Sequence, residues 1–344
     1  MKQLIVDKTS TKTLNYISRY INVEERKNLI ISGSSIFEIE KEENTFFNSI
    51  VNLSRLNDVR RINKFLESVN AKLHNGGLFL GNIETYALRK KRILKKYPPV
   101  INWGVYTVDF LIRRVSPKVW GFKKIYFFFS RGHNRLLSKA EILGRIYSCG
   151  FEVVDEALLN NKFHFVVRKI KEPTFDNNPT YGPIIKLKRE GKNGKIIHVY
   201  KLRTMHAYSE YLQEYIYKQN NLQEGGKFSD DFRITSTGKI FRKFWLDELP
   251  MLVNWLKRDL KIVGVRPLSQ HYLSLYPEDY IERRRKYRPG LVPPYYADLP
   301  KELDEIIDSE KRFLDAYDKH PLRTNWRYFW KAFYNIFIKR ARSK

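Results

Sequence analysis

The sequence predicts an α/β protein in two parts, a partial Rossmann-like layer in the N-terminal half followed by a mixed α/β domain in the C-terminal half. Two observations point to the layer. A strand, helix, strand order runs through residues 45–85, and a helix, glycine turn, strand order runs through LLSKAEILGRIYSCGFEVVDE into the antiparallel strand KFHFVVRKI. A third observation divides the chain: two prolines and a glycine between Asp176 and Pro183 interrupt both helix and sheet, which marks a linker.

Each element has its own signal. FFNSIVNL reads as a strand, and in RLNDVRRINKFLESVNAKL the residues Leu56, Val59, Ile62, Phe65, Leu66 and Val69 recur at helical spacing. Asn75-Gly76-Gly77 reads as a break before the next strand, GLFLGNIET. Between Tyr97 and Arg131, aromatic and aliphatic residues alternate with Arg and Lys clusters. That mixture suits either a segment at a membrane interface or a buried connecting helix pair. The expected organisation is residues 1–172 as the first region, 173–181 as linker and 182–344 as the second domain. The first region resembles the C-terminal half of a class I methyltransferase fold over about residues 45–170. The glycine-rich turn that would cradle S-adenosylmethionine has no counterpart in the first 45 residues, so methyl transfer is not the expected activity.

Composition narrows the class. With 344 residues, 42% hydrophobic and 15% aromatic, the chain has material for packed cores. A net charge of +27 requires an anionic partner: a membrane surface, nucleic acid or a phosphorylated small molecule. The lone Cys149 excludes an internal disulfide and reads as an inert core thiol. No run approaches the roughly 20 apolar residues of a spanning helix, and the N-terminal residues lack a secretory apolar run.

The most informative stretch is Asp230 to Pro267, where Asp247 and Glu248 stand among Arg233, Arg242, Lys243 and Arg266. Adjacent carboxylates in a cationic field suit phosphate chemistry, one acid attacking or binding metal while the cations hold phosphate oxygens. Read alone, the pair could equally open a helix, because acids favour the first turn and LPMLVNWL continues at helical spacing. Asn193-Gly194 reads as a tight hairpin turn, and His198, His206 and His271 show no metal-ligand spacing.

The order GPIIKLKREGKNGK, HVYKLRTM, DDFRITSTGKIFRKFWLDELP, DLKIVGVRP and YRPG resembles the bacterial sugar transferase family, the polyprenyl-phosphate glycosyl-1-phosphate transferases, over about residues 182–290. The resemblance implies a sugar-transferase catalytic domain that moves a sugar 1-phosphate from a nucleotide diphosphate sugar, a UDP-sugar by expectation, to a polyprenyl phosphate. It implies Asp247 as nucleophile, Glu248 as ligand of a Mg2+ cofactor, and Lys201, Arg203, Arg242 and Arg266 as phosphate-binding cations, with Arg233 and Arg288 as further candidates. For Arg233 and Arg288 a structural salt bridge is an equal reading. It also implies a place on the cytoplasmic face of the bacterial inner membrane, peripheral or monotopic, and a role in starting surface polysaccharide assembly. A homo-oligomer is compatible with all of this.

The match has departures. Leu187 and Val265 stand where the family often has glutamine and proline, and LVPPYYADLP follows Pro289-Gly290 in place of the usual Thr-Gly and aromatic. The apolar helix that usually precedes the GP block is missing in its normal form. At the C-terminus, Trp326, Phe329, Trp330, Phe333 and Phe337 fall on one helical face, with Arg327, Lys331, Lys339 and Arg340 around it. This amphipathic helix suits a headgroup layer or a face packed on the domain. Two other readings compete. A catalytically silent membrane scaffold would keep the fold. A nucleic-acid binder would place its cations in one stripe, not around an acidic pair, so no nucleic acid is expected.

Overall fold

The computed structural model describes residues 10–22, 25–33, 35–119, 121–174, 182–219 and 231–339. The linker expected at 173–181 falls, from residue 175 on, outside the described residues, as does Arg340. The chain is α/β and divides into two compact units. One holds residues 1–181 with His206–Tyr215, the other Gly182–Met205 with Ile216–Lys344. His206–Tyr215 thus belongs to the first unit although it lies in the stretch that the sequence assigns to the second. Its partners explain this: His206 stacks near Tyr86 and contacts Arg114, and the Tyr208 hydroxyl accepts from Asn63 at 2.8 Å.

The first unit is built on five strands. β1 (Asn28–Ile31), β2 (Phe47–Arg55) and β3 (Leu73–Ile83) run parallel, and β4 (Phe151–Leu159) and β5 (Lys162–Lys169) close the sheet antiparallel, in the order β1-β2-β3-β5-β4. Helix α1 (Thr11–Ser18) precedes the sheet, and α2 (Ile62–Lys72) crosses between β2 and β3, as a parallel pair requires. The predicted stripe is the buried one, since Leu56, Val59, Ile62, Phe65, Leu66 and Val69 are each at most 1% exposed. The α-helix is shorter than expected, however: it begins at Ile62, Leu56 lies in a separate 3-10 turn, and Val59 is extended. Burying a side chain of this size stabilises by about 1.5–3 kcal/mol, and Phe79 meets both Phe65 and Phe165 edge-on to form the core.

One expectation is corrected here. Asn75-Gly76-Gly77 lies inside β3, not before it, and the pairing register with β2 shifts between Leu73 and Leu78. The stretch is a bulge, and Gly76 at φ 83° supplies the left-handed backbone that it needs.

After β3 come α3 (Tyr86–Lys96), α4 (Ile101–Phe110), a single π turn (Leu111–Val115), a 3-10 turn containing Pro117, and α5 (Phe122–Ser130). Polar anchors hold the inner side of this segment. Asp109 accepts two hydrogen bonds from Arg89, at 2.7 and 2.8 Å, and buried Arg114 pairs with Glu141 of α6 (Lys139–Ser148). The outer side is apolar and exposed, including Trp103, Val108, Ile112, Phe122, Phe128 and Phe129. Among the described residues no helix is long and apolar enough to cross a membrane.

The second unit begins with the hairpin β6 (Ile184–Glu190) and β7 (Ile196–Leu202), closed by Asn193 and Gly194 in the left-handed region, as the Asn-Gly pair predicts. Helices α7 (Ser236–Lys243) and α8 (Met251–Leu256) follow. β8 (Lys261–Val263) pairs in parallel with β9 (Gly290–Val292), so the GVRP and YRPG blocks meet. A Cβ on Gly290 would lie 2.2 Å from the Gly264 nitrogen, so this crossing needs glycine. Between the two strands runs α9 (Glu278–Arg285), and after them α10 (Leu303–Lys319) and α11 (Pro321–Phe337) complete a core around Val263, Val265, Phe313, Leu314 and Tyr328. In α11, Tyr328, Ala332 and Ile336 face inward, while Trp326, Trp330, Phe333 and Phe337 are exposed.

Candidate active site

The acidic pair sits at a constrained corner. Helix α7 ends at Lys243, Trp245 takes a left-handed conformation at φ 60°, and Leu246–Glu248 forms one 3-10 turn before Pro250 starts α8. A bulky residue in that region costs about 1–3 kcal/mol and persists only where its surroundings hold it, a feature concentrated at functional sites. The Trp245 ring is held against Tyr296, with centroids 4.4 Å apart.

Two contacts fix the corner to the hairpin. Asn254 of α8 is fully buried, accepts from the Tyr200 amide at 3.0 Å and donates to the His198 carbonyl at 2.7 Å. This ties α8 to β7, the strand that carries Lys201. Thr204, just past β7, receives α7: its carbonyl accepts from the Thr235 amide at 2.9 Å, and its hydroxyl accepts from Arg242 Nε at 3.0 Å. A Cβ on Gly238 would stand 2.0 Å from the Thr204 carbonyl oxygen, so glycine permits this approach and thereby sets Arg242.

The predicted residues separate into two groups. Lys201, Arg242 and Arg266 gather around the pair: Lys201 Nζ is 2.6 Å from Glu248 Oε1, Arg242 lies within electrostatic reach of Asp247, and Arg266 within that of Glu248. Arg233 and Arg203 have partners of their own, although Arg233 and Asp231 lie within electrostatic reach of Arg242, and Arg288 lies beside Lys261. Buried Arg233 grips Asp231 through Nη2 at 2.7 Å and Nε at 2.9 Å. Burial works against the Asp231 charge, but the hydrogen bonds from Arg233 outweigh it and hold the carboxyl below its ordinary range. Arg203 Nε donates to the Gly182 carbonyl at 3.0 Å. Arg288 stands near Lys261, whose ammonium is pushed down to about 8 by burial and then by Arg288.

Several supporting residues carry no motif of their own. Glu310, fully buried, pairs with Arg284 at 2.8 Å and accepts from the Arg266 amide at 3.3 Å, while the Arg284 guanidinium donates to the Arg266 carbonyl at 2.5 Å. The Arg266 guanidinium lies 5.5 Å from the Tyr295 ring centre. Beside it opens a cavity of about 300 Å³ lined by Tyr272, Tyr276, Tyr295, Tyr296 and Glu310. The only sequence signal for these was the atypical LVPPYYADLP loop, which supplies Tyr295 and Tyr296; Glu310 and Arg284 lie on helices with ordinary charge patterns.

Among the described residues no three His, Cys, Asp or Glu side chains converge to hold a metal by themselves. Mg2+ commonly takes one or two carboxylates and completes its shell with substrate phosphates and water, and the oxygen donors of Asp247 and Glu248 fit that mode. His206 is buried among Arg114 and Tyr86, and Cys149 is buried with its thiol pushed up to about 12 by burial, as expected of structural groups. The side chain of His271 is outside the described residues.

Comparison with known proteins identifies the class. Residues 176–334 match the family described as bacterial sugar transferase, and this part of the chain is a sugar-transferase domain. Over 104 residues the chain is 39% identical to the uncharacterized sugar transferase EpsL of Bacillus subtilis, covering 30% of this chain and 45% of that protein. It is 34% identical over 157 residues to the galactosyl transferase CpsE of Streptococcus agalactiae, covering 44% and 33%. It is 32% identical over 115 residues to the UDP-N-acetylgalactosamine-undecaprenyl-phosphate N-acetylgalactosaminephosphotransferase of Aeromonas hydrophila, covering 32% and 24%. The matched part thus spans less than half the length of each of these relatives.

Proposed function

We propose that the protein is a glycosyl-1-phosphate transferase that moves a sugar 1-phosphate from a nucleotide diphosphate sugar, most simply a UDP-sugar, to a polyprenyl phosphate at a membrane surface. The observation that carries this reading is the corner at Asp247 and Glu248, in a sugar-transferase domain, with Lys201, Arg242 and Arg266 directed around it. The Aeromonas relative, named for a UDP-sugar donor and an undecaprenyl phosphate acceptor, supports the choice of substrates.

In this reading an Asp247 carboxylate oxygen attacks the sugar-bearing phosphorus. The phosphoanhydride bond breaks, and nucleoside monophosphate leaves with the bonding electron pair. The glycosyl phosphate is then held as a mixed anhydride on Asp247. An oxygen of the lipid phosphate attacks the same phosphorus, the Asp247 bond breaks, and the free carboxylate returns. Glu248 would hold Mg2+, which supplies charge neutralisation to the phosphate oxygens. Arg242 and Arg266 would grip phosphate oxygens in pairs, and Lys201, released from Glu248, would act as a point charge. The mixed sheet of the first unit, three parallel strands closed by an antiparallel pair, would serve as a platform in this reading.

The test is release of nucleoside monophosphate from a panel of UDP-sugars with Mg2+ and undecaprenyl phosphate. Release that needs the lipid phosphate and disappears in a folded Asp247→Asn variant is the expected result. Full activity of that variant would falsify the covalent mechanism. Silence of the wild type across the panel, from folded and vesicle-bound protein, would favour a scaffold.

A further inference from the structure

The first unit contains a second concentration of positive charge, in which Asp247 and Glu248 have no part. A cleft of about 1580 Å³ opens between the start of α2, the Pro117 turn, α5 and α6. Ten cationic side chains and one carboxylate line it. That carboxylate, Glu141, is already shared: it pairs with Arg114, with Lys118 at 3.3 Å and with Arg145 at 3.4 Å. Among the described residues, Arg60, Arg61, Lys123, Lys124, Arg131 and Arg135 make no ion pair with a carboxylate.

Arg135 is the most telling of these. Its guanidinium reaches the Val59 carbonyl and lies over the Phe127 ring, 5.9 Å from its centre, and its buried Nε has no hydrogen-bond partner. Burial and then the neighbouring Arg145 push its pKa down to about 10, against a partial opposing pull from Glu141, which is already paired with three other cations. Cations gathered in a partly enclosed space repel one another, and an anion that enters removes this penalty. Arginine forks and lysine ammonium groups together suit phosphate oxygens.

The rim adds a second chemistry. Phe128 and Phe129 line the same cleft and are each 79% exposed, and Phe122 and Ile125 continue the apolar face of α5. A soluble phosphate would engage the cations and leave these rings in water. A lipid supplies both a phosphate for the cations and a hydrocarbon layer for the rings. We propose that this cleft binds the phosphate head of an anionic membrane lipid, with Phe128 and Phe129 entering the acyl boundary beside it. The proposal stands apart from the transferase reading, because it concerns residues with no part in the chemistry at Asp247.

The test is sedimentation of the full chain with phosphatidylcholine vesicles, with and without phosphatidic acid, at fixed ionic strength. Three double variants at exposed positions are compared: Lys123→Gln with Lys124→Gln, Phe128→Ser with Phe129→Ser, and Lys192→Gln with Lys195→Gln in the β6–β7 turn as control. Thermal melts check that each is folded. The first pair should lower partitioning onto phosphatidic acid roughly thirtyfold, given the usual contribution of each cation at an anionic surface. The phenylalanine pair should lower binding to both kinds of vesicle, and the control should keep wild-type binding. Equal loss in the control, or no loss in the first pair, overturns the site. If inorganic phosphate or an oligonucleotide displaces the wild type through Lys123 and Lys124 while the phenylalanine pair binds normally, the ligand is a soluble polyanion and the lipid assignment fails. The assay needs no turnover, so its outcome is separate from that of Asp247→Asn.

Discussion

Lys201 Nζ lies 2.6 Å from Glu248 Oε1, an ion pair that joins the end of the β6–β7 hairpin to the acidic corner beside the Asn254 and Thr204 contacts. Both side chains are about three-quarters buried, at 23% and 24% exposed, so the pair is neither fully screened nor deeply desolvated. In the proposed mechanism Lys201 would exchange Glu248 for an incoming phosphate oxygen, and the ion pair would hold it close to that position beforehand. Replacing Lys201 by Met should lower nucleoside monophosphate release about 100-fold with little change in melting temperature. A Lys201→Met variant as active as wild type would remove this lysine from the phosphate-binding set.

Gly238→Ala tests whether the approach of α7 to Thr204 sets Arg242. The added methyl would meet the Thr204 carbonyl at 2.0 Å, and backbone on both sides leaves no flexible end to yield. Displacement of the helix should destabilise the protein by about 1–3 kcal/mol in urea unfolding. Activity should fall as well, since Arg242 moves with the helix.

Asn254→Ala addresses the tie between α8 and β7. It would leave the Tyr200 amide and the His198 carbonyl without their present partner. We expect a loss of about 3 kcal/mol, read from chemical denaturation, because both groups stay shielded from water. An unchanged midpoint would show that water replaces the amide at no cost.

Acid should weaken the first unit before the second. Burial, with Lys162 beside His164 and Arg114 beside His206, lowers each histidine from 6.5 to about 4. The unfolded chain therefore binds more protons between these values. The stabilisation is complete above pH 6.5 and is lost as pH falls toward 4, by about 2 kcal/mol per histidine between pH 7 and 5. Melting followed at pH 7 and 5 should show this drop, and a folded His164→Asn variant should show a smaller one.

The buried stripe Ile62 to Val69 of α2, the Asn193-Gly194 turn and the Asp247-Glu248 block could all be read from sequence, because each is encoded by spacing over a few residues, whereas the 3-10 turn and extended Val59 before Ile62 could not. The motif blocks also supplied all the candidate cations. They could not divide those cations by partner: Arg233 stands two residues from Asp231 and pairs with it, whereas the backbone amide of Arg266 is held by Glu310, 44 residues away, and its guanidinium lies over Tyr295.

What the sequence determined by itself was therefore local: the α/β pattern, the motif block with its acidic pair and the excess of cations. The tertiary structure decided the rest. It made Asn75-Gly76-Gly77 a bulge within a strand, drew His206–Tyr215 into the first unit and brought the Pro117 turn and α5 beside α2 and α6 to form a cationic cleft. These outcomes depend on contacts between residues far apart in the chain, and their energy comes from packing and charge pairing that no short window of sequence contains.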